Sequence, residues 1–288
     1  MADQTGFKRL DAKLAVVTGA TSGVGLYTAL GLARLGAGLV ITGRDVRRLS
    51  DAASWIKNKV PGAMIEIENA DFAKLPEVRA MAERIAQGHE KIEILVNNAG
   101  LIMPARSLTA DGFETTFQVN HLAPFLLTAL LLPSLRAAAP ARIVNVSSRM
   151  ARYGKIDFGD LNNANRYRPW IAYSRSKLAN IMFTYALARR LAGTGVTANA
   201  VHPGFVASNF GRKGPVSAFI WALARPIQIS PARGASNSLY AAAAPEMDGV
   251  SGKYLANKKS VVSHPQSRDI EAVEHLWRVS AEMTGVPR

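Results

Sequence analysis

The chain contains no cysteine. That absence removes disulfides, thiolate zinc sites and cysteine nucleophiles, without fixing a compartment. Acidic side chains are scarce too: 21 Asp and Glu stand against 35 Lys and Arg, a net charge of +14. Such a balance suits nucleic acid or an anionic membrane surface. The basic residues are scattered, however, with no basic arm and no finger or RNP signature. We therefore read the charge as solvated surface and expect no nucleic-acid partner. Long apolar runs are missing as well. The longest, Leu122 to Leu135, is interrupted by Pro124 and Pro133 and falls short of the ~20 residues that a bilayer helix needs. Residues 1–11 carry charges and no apolar core, so the expectation is no signal peptide, no membrane anchor and a soluble, cytoplasmic protein. Nothing resembles a repeat, a low-complexity tract or a linker, and one domain over residues 1–288 is expected.

What is present is alternation. Apolar β-rich runs at 13–18, 38–42, 64–68, 93–96, 142–146, 196–201 and 252–255 alternate with helical stretches, among them 45–59, 75–86, 111–135 and 173–191. This predicts an α/β fold of one doubly wound, Rossmann-like parallel sheet of about seven strands with helices on both faces; the expected order, 3-2-1-4-5-6-7, is the one such folds take and is implied by the resemblance given below. Ligands then bind beyond the C-terminal strand ends. The polar motifs sit there: Gly19-Ala-Thr-Ser-Gly23-Val-Gly25, Gly43-Arg44-Asp45, Asp71, Asn97-Asn98-Ala99-Gly100, Ser147-Ser148 and His202-Pro203-Gly204.

The first of these joins a strand to a helix. Its glycines suit a tight turn, a close approach of backbone to phosphate and tight helix packing, and the helix start offers free N–H groups to a pyrophosphate. At the end of the second strand, where an NAD site usually carries an acid for the ribose 2′-hydroxyl, the first polar side chain is Arg44. A guanidinium suits a 2′-phosphate, so NADP(H) is preferred over NAD(H). Arg47 and Arg48 could assist, or form the exposed face of the next helix. Tyr173 and Lys177, four apart at the start of a helical run, share a face. A cation roughly 4 Å from the phenol, at an effective dielectric of about 20, attracts phenolate by at most about 4 kcal/mol. That would bring Tyr173 toward neutral pH, where a general acid/base works best. His121 and His202 lack the acidic neighbours of a metal set; they read as packing or hydrogen-bonding residues, and no metal is expected.

With these motifs in place the chain resembles the short-chain dehydrogenase/reductase superfamily, essentially end to end. The resemblance is carried by Thr18-Gly19-x-x-x-Gly23-x-Gly25, Asn97-Asn98-Ala99-Gly100, Asn120, Ser148, Tyr173-x-x-x-Lys177 and Pro203-Gly204. Gly43-Arg44-Asp45, Val119-Asn120-His121, Ala172 to Asn180, Val201 to Gly204, Ser251 to Tyr254 and the long interval from Ser148 to Tyr173 resemble the retinol dehydrogenase-like branch. The resemblance implies Tyr173 as proton donor or acceptor. It makes Lys177 the residue that lowers its pKa and holds the nicotinamide ribose. Ser148 would hydrogen-bond the substrate oxygen where charge develops, and Asn120 would place a water linking Lys177 to solvent. Cofactor contacts fall on Gly19, Thr21, Ser22, Gly23, Val24, Gly25, Arg44, Asp71, Phe72, Asn98, Ala99, Gly100, Tyr173, Lys177, Pro203, Gly204, Val206 and Ser208. Ser208 stands where many members carry Thr.

Substrate contacts are expected from Ser148, Met150, Tyr173, Phe205 and Phe210, with the aromatic-rich segment 204–231 as a covering lid. The expected function is an NADP(H)-dependent oxidoreductase interconverting a carbonyl and an alcohol on a bulky, mainly apolar substrate. The alternatives are a short-chain reductase of a carbon–carbon double bond, as in light-dependent protochlorophyllide reductases, or a non-catalytic NADP(H)-binding sensor. The first usually carries cysteines that are missing here, and the second tends to lose the Tyr or Lys. Membrane-bound retinol dehydrogenases usually begin with an apolar anchor, and its expected absence disfavours retinoid itself. Many members are oligomers, and the stretches 111–135 and 173–191 are expected to pair across a two-fold axis in a homodimer or tetramer.

Overall fold

Both faces of the first strand are apolar, and that places it in the middle of the sheet: Ala15, Val16 and Val17 are fully buried. The computed structural model describes residues 6–204 and 229–287. In chain order the first half contains β1 (Leu14–Thr18), α1 (Gly23–Arg34), β2 (Gly38–Gly43), α2 (Val46–Lys59), β3 (Ile65–Asn69), α3 (Leu75–Gly88) and β4 (Ile94–Asn97). Next come a short helix α4 (Thr115–Phe117), a wide π turn (Gln118–Leu122), α5 (Ala123–Ala137), β5 (Ala141–Val146) and a tight turn at Arg149–Tyr153. The remainder is α6 (Pro169–Arg190), β6 (Val196–His202), α7 (Pro231–Ala243), β7 (Tyr254–Ala256), β8 (Lys259–Ser260), α8 (Pro265–Arg268) and α9 (Ile270–Thr284).

The sheet order is β3-β2-β1-β4-β5-β6-β7-β8. The expected seven strands run parallel, and the two-residue β8 adds an antiparallel edge. Helices α1, α2 and α7 cover one face, and α3, α5, α6 and α9 the other. The order reverses between β1 and β4, which opens a crevice at their C-terminal ends.

Two local differences matter. Helix α6 begins at Pro169, not Tyr173: proline's fixed φ suits the first helical position, and Tyr173 therefore lies in the second turn. The run broken by two prolines is one continuous helical stretch, Thr115–Ala137, of 23 residues. Pro124 sits in the first turn of α5 and Pro133 is accommodated inside it. By length and composition the stretch could cross a membrane, but 78% of its most apolar window is buried inside this fold. It serves here as a core helix.

The pairing of 111–135 with 173–191 across a two-fold axis meets an obstacle. Every residue of α6 from Ser176 to Thr184 is buried, so this length has no free face for a second copy. The cover is α9, whose Trp277 packs on Phe125 of α5 and Phe183 of α6, ring centres 4.9 and 5.9 Å away. Helix α9 is not among the helical stretches that the sequence alternation predicts, although Asp269 caps its start and Gly285, at φ 65°, ends it.

Candidate active site

The crevice is a cleft of about 570 Å³. Its floor is the turn between β1 and α1, where the glycines divide the work. A side chain at Gly25 would lie 2.4 Å from the Gly19 carbonyl oxygen and from Asn98 Nδ2, so Gly25 is a packing glycine. Gly23, at φ 58°, has open space where its side chain would be and faces the cleft. Asn98 holds this turn: its Nδ2 donates to the carbonyls of Thr18 (2.8 Å) and Gly19 (3.3 Å). The N-terminus of α1 has no side-chain cap and no acid in its first turn. Its N–H groups and positive dipole end are available to an anion. These features fit a dinucleotide's pyrophosphate.

Further along, Thr21, Gly43, Arg44, Asp45 and Arg48 line the end of the cleft above β2. Asp45 is spent on capping α2, accepting from the Arg48 N–H at 3.2 Å, so a ribose there meets guanidinium groups. Arg47 does not line the cleft, whereas Arg48 does. Asp71 and Phe72 form the opposite wall. The Asp71 carboxylate accepts from Ala73 N–H at 3.0 Å, which fixes the turn after β3.

At the other end Ser148, Tyr173 and Lys177 converge. Ser148 lies two residues past β5 and caps the turn at Arg149–Tyr153, which lies against α6 because Gly154 has no side chain: a Cβ there would be 2.6 Å from the Ser174 carbonyl oxygen. The Ser148 and Tyr173 hydroxyls are hydrogen-bonded to each other. Ser148 Oγ also accepts from Met150 N–H at 3.2 Å. Lys177 Nζ donates to the Val146 carbonyl at 3.0 Å and lies 5.7 Å from the centre of the Tyr173 ring.

Burial works against the expected lowering of the Tyr173 phenol by Lys177. Burial pushes the phenol up to about 12, opposed by the Ser148 hydrogen bond. Burial also brings the Lys177 ammonium down to about 8. The reason is geometric: Nζ is bonded to a carbonyl and sits over the ring, and its own charge is disfavoured by the same desolvation.

Asn120 sits in the wide turn between α4 and α5, fully buried. Its Oδ1 accepts from Leu101 N–H at 2.7 Å, and its Nδ2 donates to the Leu101 carbonyl and to Ser176 Oγ, both at 2.9 Å. The side chain is therefore committed to protein partners. His202 Nδ1 accepts from the Arg149 N–H (3.1 Å) and the Gly204 N–H (3.4 Å), tying the Ser148 turn to Pro203-Gly204. It is a hydrogen-bonding residue, as expected. No cluster of metal-ligating side chains occurs among the described residues.

The cleft thus gathers Gly19, Thr21, Ser22, Gly23, Val24, Gly25, Arg44, Asp71, Phe72, Asn98, Ala99, Gly100, Ser148, Met150, Tyr173, Lys177, Pro203 and Gly204. Asn120 lies just behind it, its Oδ1 and Lys177 Nζ each 3.2 Å from the place of a Cβ on Gly100. Phe205, Val206, Ser208, Phe210 and nearly all of the expected lid 204–231 lie outside the described residues. Sequence reading missed Leu101, Val119 and Trp170, which also line the cleft. Trp170 was findable: it lies three residues before Tyr173 and so shares its helix face, once Pro169 is taken as the helix start.

Comparison with known proteins agrees with this geometry. Residues 13–215 match the short chain dehydrogenase family. The chain is 44% identical over 278 residues to mouse (Mus musculus) retinol dehydrogenase 12, covering 96% of this chain and 88% of that protein. Among solved structures, an uncharacterised protein from Mycobacterium paratuberculosis superposes with TM-score 0.80 at 34% identity, over 98% of this chain and 97% of the other. A protein described as an NAD(P)-dependent gluconate 5-dehydrogenase from Beutenbergia cavernae, solved with NADP at low occupancy, gives TM-score 0.70 at 29% identity, over 86% of this chain and 95% of the other. The chain belongs to the short-chain dehydrogenase family of oxidoreductases and is retinol dehydrogenase-like within it.

Proposed function

We propose that the protein is an NADP(H)-dependent carbonyl reductase or alcohol dehydrogenase for a bulky, mainly apolar substrate. The observation that carries this reading is the meeting of the Ser148 and Tyr173 hydroxyls beside Lys177 at the end of a dinucleotide-shaped cleft. Gly23 and the uncapped start of α1 would hold the pyrophosphate, and Asp71 and Phe72 the adenine end. Arg44 and Arg48 would take a 2′-phosphate through their planar forks, which supports NADP(H) over NAD(H). Bound NADPH supplies hydride from nicotinamide C4.

In the reductive direction the Tyr173 hydroxyl passes its proton to the carbonyl oxygen as that oxygen gains charge. A phenol held near 12 is well protonated at neutral pH, which suits a proton donor to a developing alkoxide. Ser148 donates a hydrogen bond to the same oxygen, an electrostatic aid that grows as charge develops. Lys177, with its ammonium lowered to about 8, then helps restore the proton on Tyr173. Leu101, Met150 and Trp170 supply an apolar wall, which supports a bulky substrate. A cytoplasmic location belongs to the same proposal, to be checked by fractionation. So does self-association, built on a face other than α6.

The test is oxidation of NADPH and of NADH, in parallel, across lipophilic aldehydes, ketones and diketones, with Tyr173→Phe as control. We expect turnover with NADPH, weaker turnover with NADH, and a loss of about 10²–10⁴-fold in kcat in the variant. Tight NADPH binding with no turnover on any substrate in the panel would count against the reading.

A further inference from the structure

A chain of buried polar side chains runs behind the cleft, and the mechanism above does not use it. Its centre is Asn180, one turn beyond Lys177 on α6 and 3% exposed. Asn180 Nδ2 donates to the backbone carbonyl of Asn120 at 2.9 Å and approaches the Val146 carbonyl at 3.5 Å. The second of these is the oxygen that accepts from Lys177 Nζ at 3.0 Å. Lys177 and Asn180 thus converge on one carbonyl at the end of β5.

The orientation of that amide is fixed. Because Nδ2 faces two carbonyl oxygens, Oδ1 faces His121 Nδ1, 3.3 Å away. An oxygen only accepts, so Nδ1 of His121 carries the proton. His121 Nε2 is then the acceptor, and its partner, 2.9 Å away, is the hydroxyl of Ser280 on α9. On the other side the Asn180 carbonyl accepts from Thr184 Oγ1 at 2.7 Å, and that hydroxyl accepts from Asn145 Nδ2 of β5 at 2.9 Å. His121 and Asn120 are fully buried. Apolar side chains would fill this space at less desolvation cost, so the polar chain calls for a role beyond filling it.

We propose that Asn180 is a positioning residue for Lys177, and that His121 and Ser280 set its orientation, so that the C-terminal helix α9 is linked through hydrogen bonds to the reacting face. This rests on the role proposed for Lys177 above. The groups facing Lys177 are Tyr173 on its own helix, the Val146 carbonyl from β5 and the neutral Asn120 from the wide turn. Neutral His121 lies one hydrogen bond beyond Asn180. Among the described residues no carboxylate is found to act on Lys177, so a charge placed at position 180 is felt there unmasked.

The experiment uses the full-length protein labelled with 13C at lysine Cε. The Lys177 resonance is identified by its loss in Lys177→Arg, and its titration is followed by NMR. Asn180→Asp keeps the acceptor for His121 and replaces the donor by a carboxylate. We expect it to raise the Lys177 midpoint by about one pH unit, a roughly tenfold change in proton affinity. A midpoint that does not move, even with a lower melting temperature, would overturn the proposal, because position 180 would then not be coupled to Lys177.

A second pair keeps the test open if Asn180→Asp fails to fold. His121→Phe keeps the ring bulk and loses the Nδ1–H. It should lower kcat at least fivefold while leaving KM for NADPH within about twofold, and His121→Asn, which offers an amide N–H to Asn180, should recover part of the loss. Equal kcat in all three proteins would overturn the proposal. Failure of the functional reading looks different: Tyr173→Phe would then match the wild type in every assay, while the Lys177 titration would still report on Asn180.

Discussion

His121 and His202 are held neutral by burial, each lowered to about 4 from an ordinary value of 6.5, with the Arg149 charge assisting at His202. The unfolded chain takes up these protons between pH ~6.5 and ~4, and the folded one does not. Stability therefore falls as pH drops through that window. The loss reaches about 3 kcal/mol for the fully buried His121 and less for His202, which retains some contact with solvent. Denaturant unfolding at pH 7, 6 and 5 should show a declining free energy, with a shallower slope in His121→Phe. An identical slope in both proteins would mean that His121 ionises freely in the fold. Tyr173 shows the limit of reading single residues. The i, i+4 spacing with Lys177 is visible in sequence, but the sign of the pKa shift is not. It depends on how much water the folded site excludes and on where Nζ finds its acceptor.

At the scale of elements, the β1–α1 turn separates two kinds of glycine. Gly25 is hemmed in by backbone at 2.4 Å, so Gly25→Ala must distort the turn and should cost both stability and NADPH affinity. Gly23 has room for a methyl group but an unfavourable φ of 58°. Gly23→Ala should cost only about 1–2 kcal/mol of stability, and its larger effect should fall on NADPH binding, since the methyl group projects into the cleft. Thermal melts and NADPH titration on both variants check this, and equal losses of stability would refute the division. The strand–turn–helix pattern was legible because β propensity, glycine spacing and apolar periodicity all agree there. The wide turn at Asn120 and His121 was not, since nothing local announces a π turn. The helix α9 lay in a stretch of mixed polarity, and what holds it is long-range: Trp277 between Phe125 and Phe183, with Arg190 stacked on the indole at 4.0 Å.

At the scale of the molecule, charge is less evenly spread than the scattered sequence suggests. Residues 149–177 hold seven Lys and Arg against two acids, Asp157 and Asp160, whereas Arg189 and Arg190, farther along α6, are paired with Glu274. The same interval contains the Ser148 turn's continuation, Trp170 and Tyr173. Arg149, Arg152, Lys155, Arg166 and Arg168 are all exposed. A field of one sign beside a cleft steers opposite charge and is screened over roughly 10 Å at 0.1 M salt. A ketone bearing a carboxylate should therefore be reduced with a higher kcat/KM than its methyl ester at low ionic strength, and the advantage should shrink as salt rises. Steady-state kinetics on the matched pair at 20 and 300 mM salt, about a fourfold change in Debye length, decide it. Equal values at low salt would reduce the charge to solvated surface.

The sequence by itself determined the alternating α/β architecture and the cleft's main residues, and the family resemblance implied the strand order. The first two rest on local signals, periodicity, glycine spacing and strand-end polarity, that survive without knowledge of distant contacts. Tertiary structure alone decided the rest. It set the protonation of Tyr173 and Lys177, committed the Asn120 side chain to Leu101 and Ser176, covered α6 with the chain's own C-terminal helix, and joined Asn180 to His121 and Ser280. Each depends on desolvation or on partners up to 159 residues apart, and such quantities exist only once the chain has folded.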